Sequence, residues 1–265
     1  MKRSSVLSFA VLVLAGGACS SSTSLTPVPT VAGVATPPPT ADTSTPPPSP
    51  SGPCVTQYYP AVTGVTRTYT IKTSKLGTSK YTQSIGKVTD AGFTATNAFK
   101  GIRSTANYSC SSEGITARDV IGGPAGTVSL QGSELSYRTT HIQGVTYPAT
   151  ISSGDSWTQS FDIAGKQTTR GKVTETTGTV TIDFHASGGK RVTVGAGGYD
   201  AIAVSAVVQF DLTQTIDGGT PIPLSSAFKE TLYLVDGVGL VKEVGSGSIL
   251  GVNINSNMEL VRSSA

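Results

Sequence analysis

Charge is scarce in this chain, and so is most of what carries chemistry. Charged residues are 13% of the 265, about half the roughly 25% of an ordinary soluble domain. Setting aside Lys2 and Arg3, which lie in a segment read below as removed, leaves 17 of the 19 basic residues against 16 acidic ones. A chain so close to neutral, with no basic stripe, has no electrostatic footprint for nucleic acid. Histidine occurs twice and cysteine three times. No Gly-x-Ser-x-Gly, His-Glu-x-x-His, phosphate loop or Cys-x-x-Cys pair occurs. The signatures of a serine hydrolase, a zinc protease and a nucleotide enzyme are therefore missing, and no cofactor or metal is expected. A 3.6-residue apolar period is lacking after the first 19 residues. The apolar run at 6–14 falls short of the ~20 residues that cross a bilayer.

What is present starts with a targeting segment. Lys2-Arg3 give a charged start, 6–14 an apolar stretch and Gly16-Gly17-Ala18 a small-residue cleavage region, the three parts of a secretory signal. The run Leu14-Ala15-Gly16-Gly17-Ala18-Cys19 resembles the lipobox of bacterial lipoproteins. That resemblance implies a signal peptide over 1–18, a lipidated Cys19 and a partner in the membrane. Gly16 departs from the pattern, which usually has Leu there. Residues 20–53 hold 10 of the chain's 15 prolines and one charge, Asp42. Such a segment cannot bury enough apolar surface to fold. Extended as polyproline II at roughly 3.1 Å per residue, it would reach up to about 100 Å. The expected organisation is a lipid-anchored, extracytoplasmic protein with a disordered linker over 19–53 and one domain over 54–265.

That domain is expected to be all-β. Ile202, Val204, Ala206, Val208, Phe210 and Leu212 alternate with more polar neighbours, the period-two spacing of a strand with one face buried. Asp217-Gly218-Gly219-Thr220-Pro221 turns the chain into a second strand from Phe228. Asp236-Gly237 turns it again into a short return strand, Val238-Gly239-Leu240-Val241-Lys242. Val65, Arg67, Tyr69 and Ile71 share one face, as do Phe93, Ala95, Asn97 and Phe99. Trp157, Gln159, Phe161 and Ile163 share another, and Val180, Ile182 and Phe184 oppose Thr179, Thr181, Asp183 and His185. Many strands punctuated by glycine turns predict a single curled antiparallel sheet, half-barrel or sandwich-like. Tyr59-Pro60-Ala61 and Tyr147-Pro148-Ala149 are a weak internal echo, and coincidence of turn motifs explains it better than duplication does.

Candidate sites are few. Cys19 belongs to the lipid, so Cys54 and Cys110 form an even pair in an exported domain, where a disulfide is the default. Asp183 and His185 sit two apart on one strand face and offer a carboxylate beside an imidazole, with His141 as a third group if the fold brings it near. Against this, their face also carries Thr179 and Thr181 and reads as solvated. Trp157 reads as core rather than as a stacking platform. Tyr58 and Tyr59 are expected to pack against the disulfide rather than stand out for a glycan. Gly195-Ala196-Gly197-Gly198 leads into a strand, so it is a turn and not a dinucleotide loop.

The pattern Cys54…Tyr58-Tyr59-Pro60, then Tyr108-Ser109-Cys110…Glu113-Gly114-Ile115, then Asp236-Gly237-Val238-Gly239-Leu240-Val241-Lys242 resembles a family of uncharacterised bacterial lipoproteins. The family implies an all-β domain with a Gly-Val-Gly-Leu-Val-Lys strand near its end. It implies no activity. The function expected is that of a tethered, non-enzymatic envelope protein, monomeric, with an apolar ligand or an envelope partner. An extracellular hydrolase or metal-dependent enzyme using Asp183 and His185 is the alternative.

Overall fold

The computed structural model describes residues 52–74, 77–99, 102–118, 125–130, 133–169, 171–249 and 252–264. The signal segment, Cys19 and the proline-rich stretch lie outside the described residues. Every regular element among those described is a strand. In chain order these are β1 (Val55–Thr56), β2 (Tyr59–Pro60), β3 (Thr66–Thr73), β4 (Gly77–Ile85), β5 (Gly92–Phe99), β6 (Ile102–Ser111), β7 (Gly114–Ala117) and β8 (Ala125–Leu130). They continue with β9 (Ser133–Gln143), β10 (Tyr147–Pro148), β11 (Ser156–Thr169), β12 (Lys172–Val194), β13 (Gly197–Ile216), β14 (Ile222–Val235), β15 (Gly239–Ile249) and β16 (Val252–Ser264).

β1 and β2 make a two-stranded ribbon; the other fourteen form one sheet in the order β10-β7-β6-β5-β4-β3-β16-β15-β14-β13-β12-β11-β9-β8. Nearly every neighbour in it is a hairpin neighbour in sequence. The exception at the middle is β16 on β3, two strands far apart in sequence. The pairing is antiparallel throughout, and the sheet curls without closing into a barrel.

The curl brings strands near the two opposite edges of the sheet, β7 and β11, within hydrogen-bond reach. Gln159 Nε2 on β11 donates to Ala117 O on β7 at 3.0 Å, and Thr146 Oγ1 donates to Gln159 Oε1 at 2.8 Å. The β1–β2 ribbon straps the arrangement together: Gln57 N donates to Ala149 O, and Gly237 N in the β14–β15 turn donates to Gln57 O. Inside the curl, Ile151, Phe184, Ala186, Ile202, Val204, Ala206, Leu232 and Leu234 form one core cluster, and Tyr69, Val192, Val194, Val241, Met258 and Leu260 belong to another.

The alternation expected for β13 holds. Val204 and Ala206 on its even face are buried, and Ser205 on its odd face is exposed. Further along the chain the structure corrects the sequence reading. β14 starts at Ile222, six residues before Phe228, and β15 is an eleven-residue strand followed by a thirteen-residue one. The turn residues ending at Pro221 predict a loop up to Phe228. Pro223 is tolerated because β15 pairs with β14 only from Phe228 onward, so at Pro223 no neighbour on that side needs an N–H. The Asp217-Gly218 turn has both residues at positive φ, 49° and 70°, with Gly219 N donating to Ile216 O. This is the mirror-image turn whose twist suits a hairpin.

Candidate functional site

The polar residues singled out from sequence fall on the convex, solvated face. His185 on β12 lies opposite Ser156 on β11, and Asp183 lies opposite Thr158. His185 Nδ1 is 2.9 Å from Ser156 Oγ. Asp183 accepts from Thr158 Oγ1 at 2.8 Å and from Gln209 Nε2 at 3.2 Å. Both carboxylate oxygens are thus taken by neutral donors, and among the described residues no hydrogen bond joins Asp183 to His185. A shallow, open depression lies over Ser156, Thr158, Asp183, His185 and Ser205.

His141 does not join them. It occupies a bulge of β9 against β11, at φ 48°, and its Nδ1 lies 2.8 Å from Asp162 Oδ2. Hydrogen bonds from Thr179 and His141 hold the Asp162 carboxyl below its usual range. Asp162 is six residues along β11 from Ser156, which at about 3.3 Å per residue places the two histidines roughly 20 Å apart. With no third group to orient His185, its replacement by Ala should change stability by less than about 0.5 kcal/mol, as for an ordinary surface position. A thermal melt checks this; a larger loss would mean that the Ser156 contact anchors the β11–β12 pair.

The cysteine expectation and that for Tyr59 are met by packing, whereas Tyr58 is half-buried against the Phe184 and Leu234 cluster rather than the disulfide's, and Trp157 is half-buried there too. Cys54 and Cys110 are joined in a disulfide with Cα atoms 5.2 Å apart. Tyr59 is 3% exposed and packs in the same cluster as Cys54, Phe93 and Ile115. Its ring stacks on Tyr147 at 4.6 Å and on Phe93 at 5.9 Å. The guanidinium of buried Arg67 lies over Tyr59, 5.2 Å from the ring centre, and donates to Pro60 O. Trp157 stacks on Phe184 at 5.0 Å and donates its ring N–H to Thr146 O. Ala196, in the glycine-rich segment, caps the β12–β13 turn by donating to Leu260 O.

The site that sequence reasoning passed over lies on the concave face. Glu230 on β14 pairs across from Gly245 on β15, and Glu243 on β15 pairs across from Leu232. The two glutamates are therefore diagonal neighbours on one face, at a typical separation of about 7 Å. Each keeps part of its surface accessible, yet protein surrounds it closely. Desolvation pushes Glu243 up to about 7; desolvation, with the charge of Glu243 adding, pushes Glu230 up to about 8. Neither carboxyl has a hydrogen bond or a cationic partner among the described residues. Lys242, the chain neighbour of Glu243, points to the convex face and pairs with Glu259 at 2.7 Å.

The surroundings of the pair are aromatic. Tyr69, Tyr81 and Tyr147 all lie within electrostatic reach of Glu243, and Tyr147 also within reach of Glu230; burial raises all three phenols. Two of the hydroxyls are spent elsewhere, Tyr69 on Leu240 O and Tyr81 on Asn97 Oδ1. Between the glutamates lies Gly245. A Cβ there would meet the Phe228 ring at 2.5 Å and Ser256 Oγ at 2.8 Å, so only glycine leaves these two groups their place. Ser256 is 5% exposed and its Oγ has no partner among the described residues. One signal could have found this site: Glu230 shares strand parity with Phe228, Leu232 and Leu234, so a carboxylate interrupts an otherwise apolar stripe.

No family model matches the chain, and no curated protein is similar to it. Among solved structures it is similar to a candidate lipoprotein from Parabacteroides distasonis, at a TM-score of 0.43 and 12% identity, over 80% of this chain and 99% of that one. It is similar to an exported protein with a YmcC-like fold from Bacteroides fragilis, at 0.43 and 12%, over 79% and 100%. It is also similar to the hypothetical lipoprotein YmcC from Escherichia coli, at 0.35 and 10%, over 75% and 85%. Likeness at this level carries no argument about what the chain does.

Proposed function

We propose that this chain is a cell-envelope lipoprotein, anchored through Cys19 and spaced from the membrane by residues 20–53. Its β-domain binds an apolar or amphipathic ligand in its concave face and performs no catalysis. The observation that carries the binding role is the glutamate pair. Two carboxyls and a serine hydroxyl without partners among the described residues, set on the concave face within reach of tyrosines, cost stability and hold nothing together. Polar groups that the fold does not use are the kind that fix a ligand. The disulfide supports export, because such bonds persist in oxidising compartments.

The binding role is tested by a native mass spectrum of the exported chain bearing Cys19→Ser, expressed in its own host. Added mass that leaves on denaturation is the expected result; the bare polypeptide alone would count against it. Anchoring is tested separately. Wild-type protein should partition with membranes and carry diacylglycerol on its N-terminal peptide, since two acyl chains at about 0.8 kcal/mol per buried methylene bind stably where one does not. Cys19→Ala should be released or retained with its signal uncut. Soluble wild-type protein with no lipid mass would end the anchoring claim.

One contact favours a second reading, a hydrolase: the 2.9 Å approach of Ser156 Oγ to His185 Nδ1. Turnover of a nitrophenyl ester that is abolished by Ser156→Ala would support it. Absence of turnover, or turnover unchanged in the variant, would remove it.

A further inference from the structure

We propose that Glu230, Glu243 and Ser256 form a binding site for an alkylammonium group, the charged end of an amphipathic amine whose chain lies along the concave face. The inference rests on the ligand-binding reading above and names its ligand class.

The geometry comes from the register. Gly245 is flanked across the sheet by Glu230 on β14 and Ser256 on β16, and Glu243 precedes it by two residues on the same face. Three oxygen-bearing side chains thus ring a residue that has no side chain of its own. The Phe228 ring and Ser256 Oγ both lie over Gly245. Tyr147, from the curled-over edge strand β10, lies within electrostatic reach of both glutamates, and Tyr81 on β4 lies within reach of Glu243.

The donor set selects the ligand class. Two carboxylates and one hydroxyl are few ligands for a hard divalent ion, which takes six or more oxygens. Among the described residues no group of three metal-ligating side chains converges. An ammonium carries a single charge, donates hydrogen bonds or sheds water easily, and is attracted to aromatic faces, which is how aromatic cages hold it. The Phe228 ring lies over Gly245 and Tyr81 and Tyr147 lie within electrostatic reach of Glu243, so the surroundings are aromatic, and the carboxylates supply the opposite charge. Desolvation that disfavours two bare carboxylates is relieved when a cation enters beside them. The groups facing the pair are the Tyr69, Tyr81 and Tyr147 phenols, neutral across the working range because burial raises them. The site therefore gains charge, and affinity for a cation, as pH rises through 7 to 8.

Calorimetric titration of the exported chain bearing Cys19→Ser, with decyltrimethylammonium, decanol and decyl sulfate below their aggregation limits, tests the site. The ammonium should bind at least tenfold more tightly than the alcohol at pH 8.5, with the preference shrinking at pH 6. Glu230→Gln with Glu243→Gln should erase the preference and leave alcohol binding in place. Ser256→Ala removes an oxygen that has no partner in the fold, so its variant should fold as wild type and weaken the ammonium alone. Equal binding of ammonium and alcohol, or a preference that survives the double variant, overturns the ammonium site and leaves the groove. Failure of all three probes overturns the groove as well.

Discussion

Replacing Cys54 and Cys110 by Ser should lower the stability of the domain by about 4 kcal/mol, the chain-entropy value for a 56-residue loop. For a domain of this size that is a fall in melting temperature on the order of 10 °C. Equilibrium denaturation of wild type and double variant, both purified without reductant, measures it. The loss should also be uneven. The bridge ties β6 to the residue just before the β1–β2 ribbon, and that ribbon links the β10 edge to the β14–β15 turn. With the bridge gone, amide exchange should accelerate first around Tyr59 and Tyr147, before the β12–β13 hairpin responds. An unchanged denaturation midpoint would mean that packing of Tyr59 against Phe93 and Ile115 suffices without the covalent link.

The second large effect belongs to the glutamate pair and depends on pH. In the unfolded chain both carboxyls titrate near 4.5; in the fold they are pushed up to about 7 and about 8. The folded state therefore holds protons that the unfolded state has lost. The stability tied to these groups is complete below pH 4.5 and is lost as pH rises toward 8. Glu230→Gln with Glu243→Gln removes that loss. A tenfold change in proton affinity corresponds to about 1.4 kcal/mol, and water reaching the accessible part of each side chain screens the full sum. The double variant should then exceed wild type by roughly 3 kcal/mol at pH 9. The corresponding gain in melting temperature is about 5–10 °C, and the two proteins should melt alike near pH 4. Melting curves across pH 4–9 measure both ends. Parallel pH profiles would show that the pair is solvated in solution.

Much of the fold was legible because strand periodicity is a local property. Each residue of β11, β12 and β13 states its face through its neighbours two places away. What was not legible depended on partners distant in sequence. The start of β14 carries Pro223, with Pro221 just before it, and looks like a loop until β15 is seen to stop short of it. β16, with Asn253, Asn255, Ser256 and Asn257, has too few apolar residues to announce itself; its Met258 and Leu260 become buried only because β3 and β15 flank them. The candidate site was hidden for a related reason. Histidine is the residue type that stands out in so sparse a sequence, and here it lies on the solvated face. Glu230 and Glu243 acquire their character from burial that no stretch of sequence displays. Asp183 and His185 were correctly placed side by side, but register alone fixed what lay opposite them, Thr158 and Ser156.

The pairing of β16 with β3 has a consequence for how the chain comes to be folded. All but a few of the other contacts in the sheet are between hairpin neighbours, cheap to close and quick to form. This seam joins residues up to 198 positions apart, and the loop entropy must be met before any of its hydrogen bonds form. A chain made amino end first therefore completes β3 to β7 as a small meander whose first strand has a bare flank. That flank stays open until β16 arrives. During this interval β3 offers unpaired N–H and C=O groups to any passing strand, including β3 of another copy. The assembly step most exposed to error is thus the closing of this seam, and loss of β16 would turn a transient vulnerability into a permanent one.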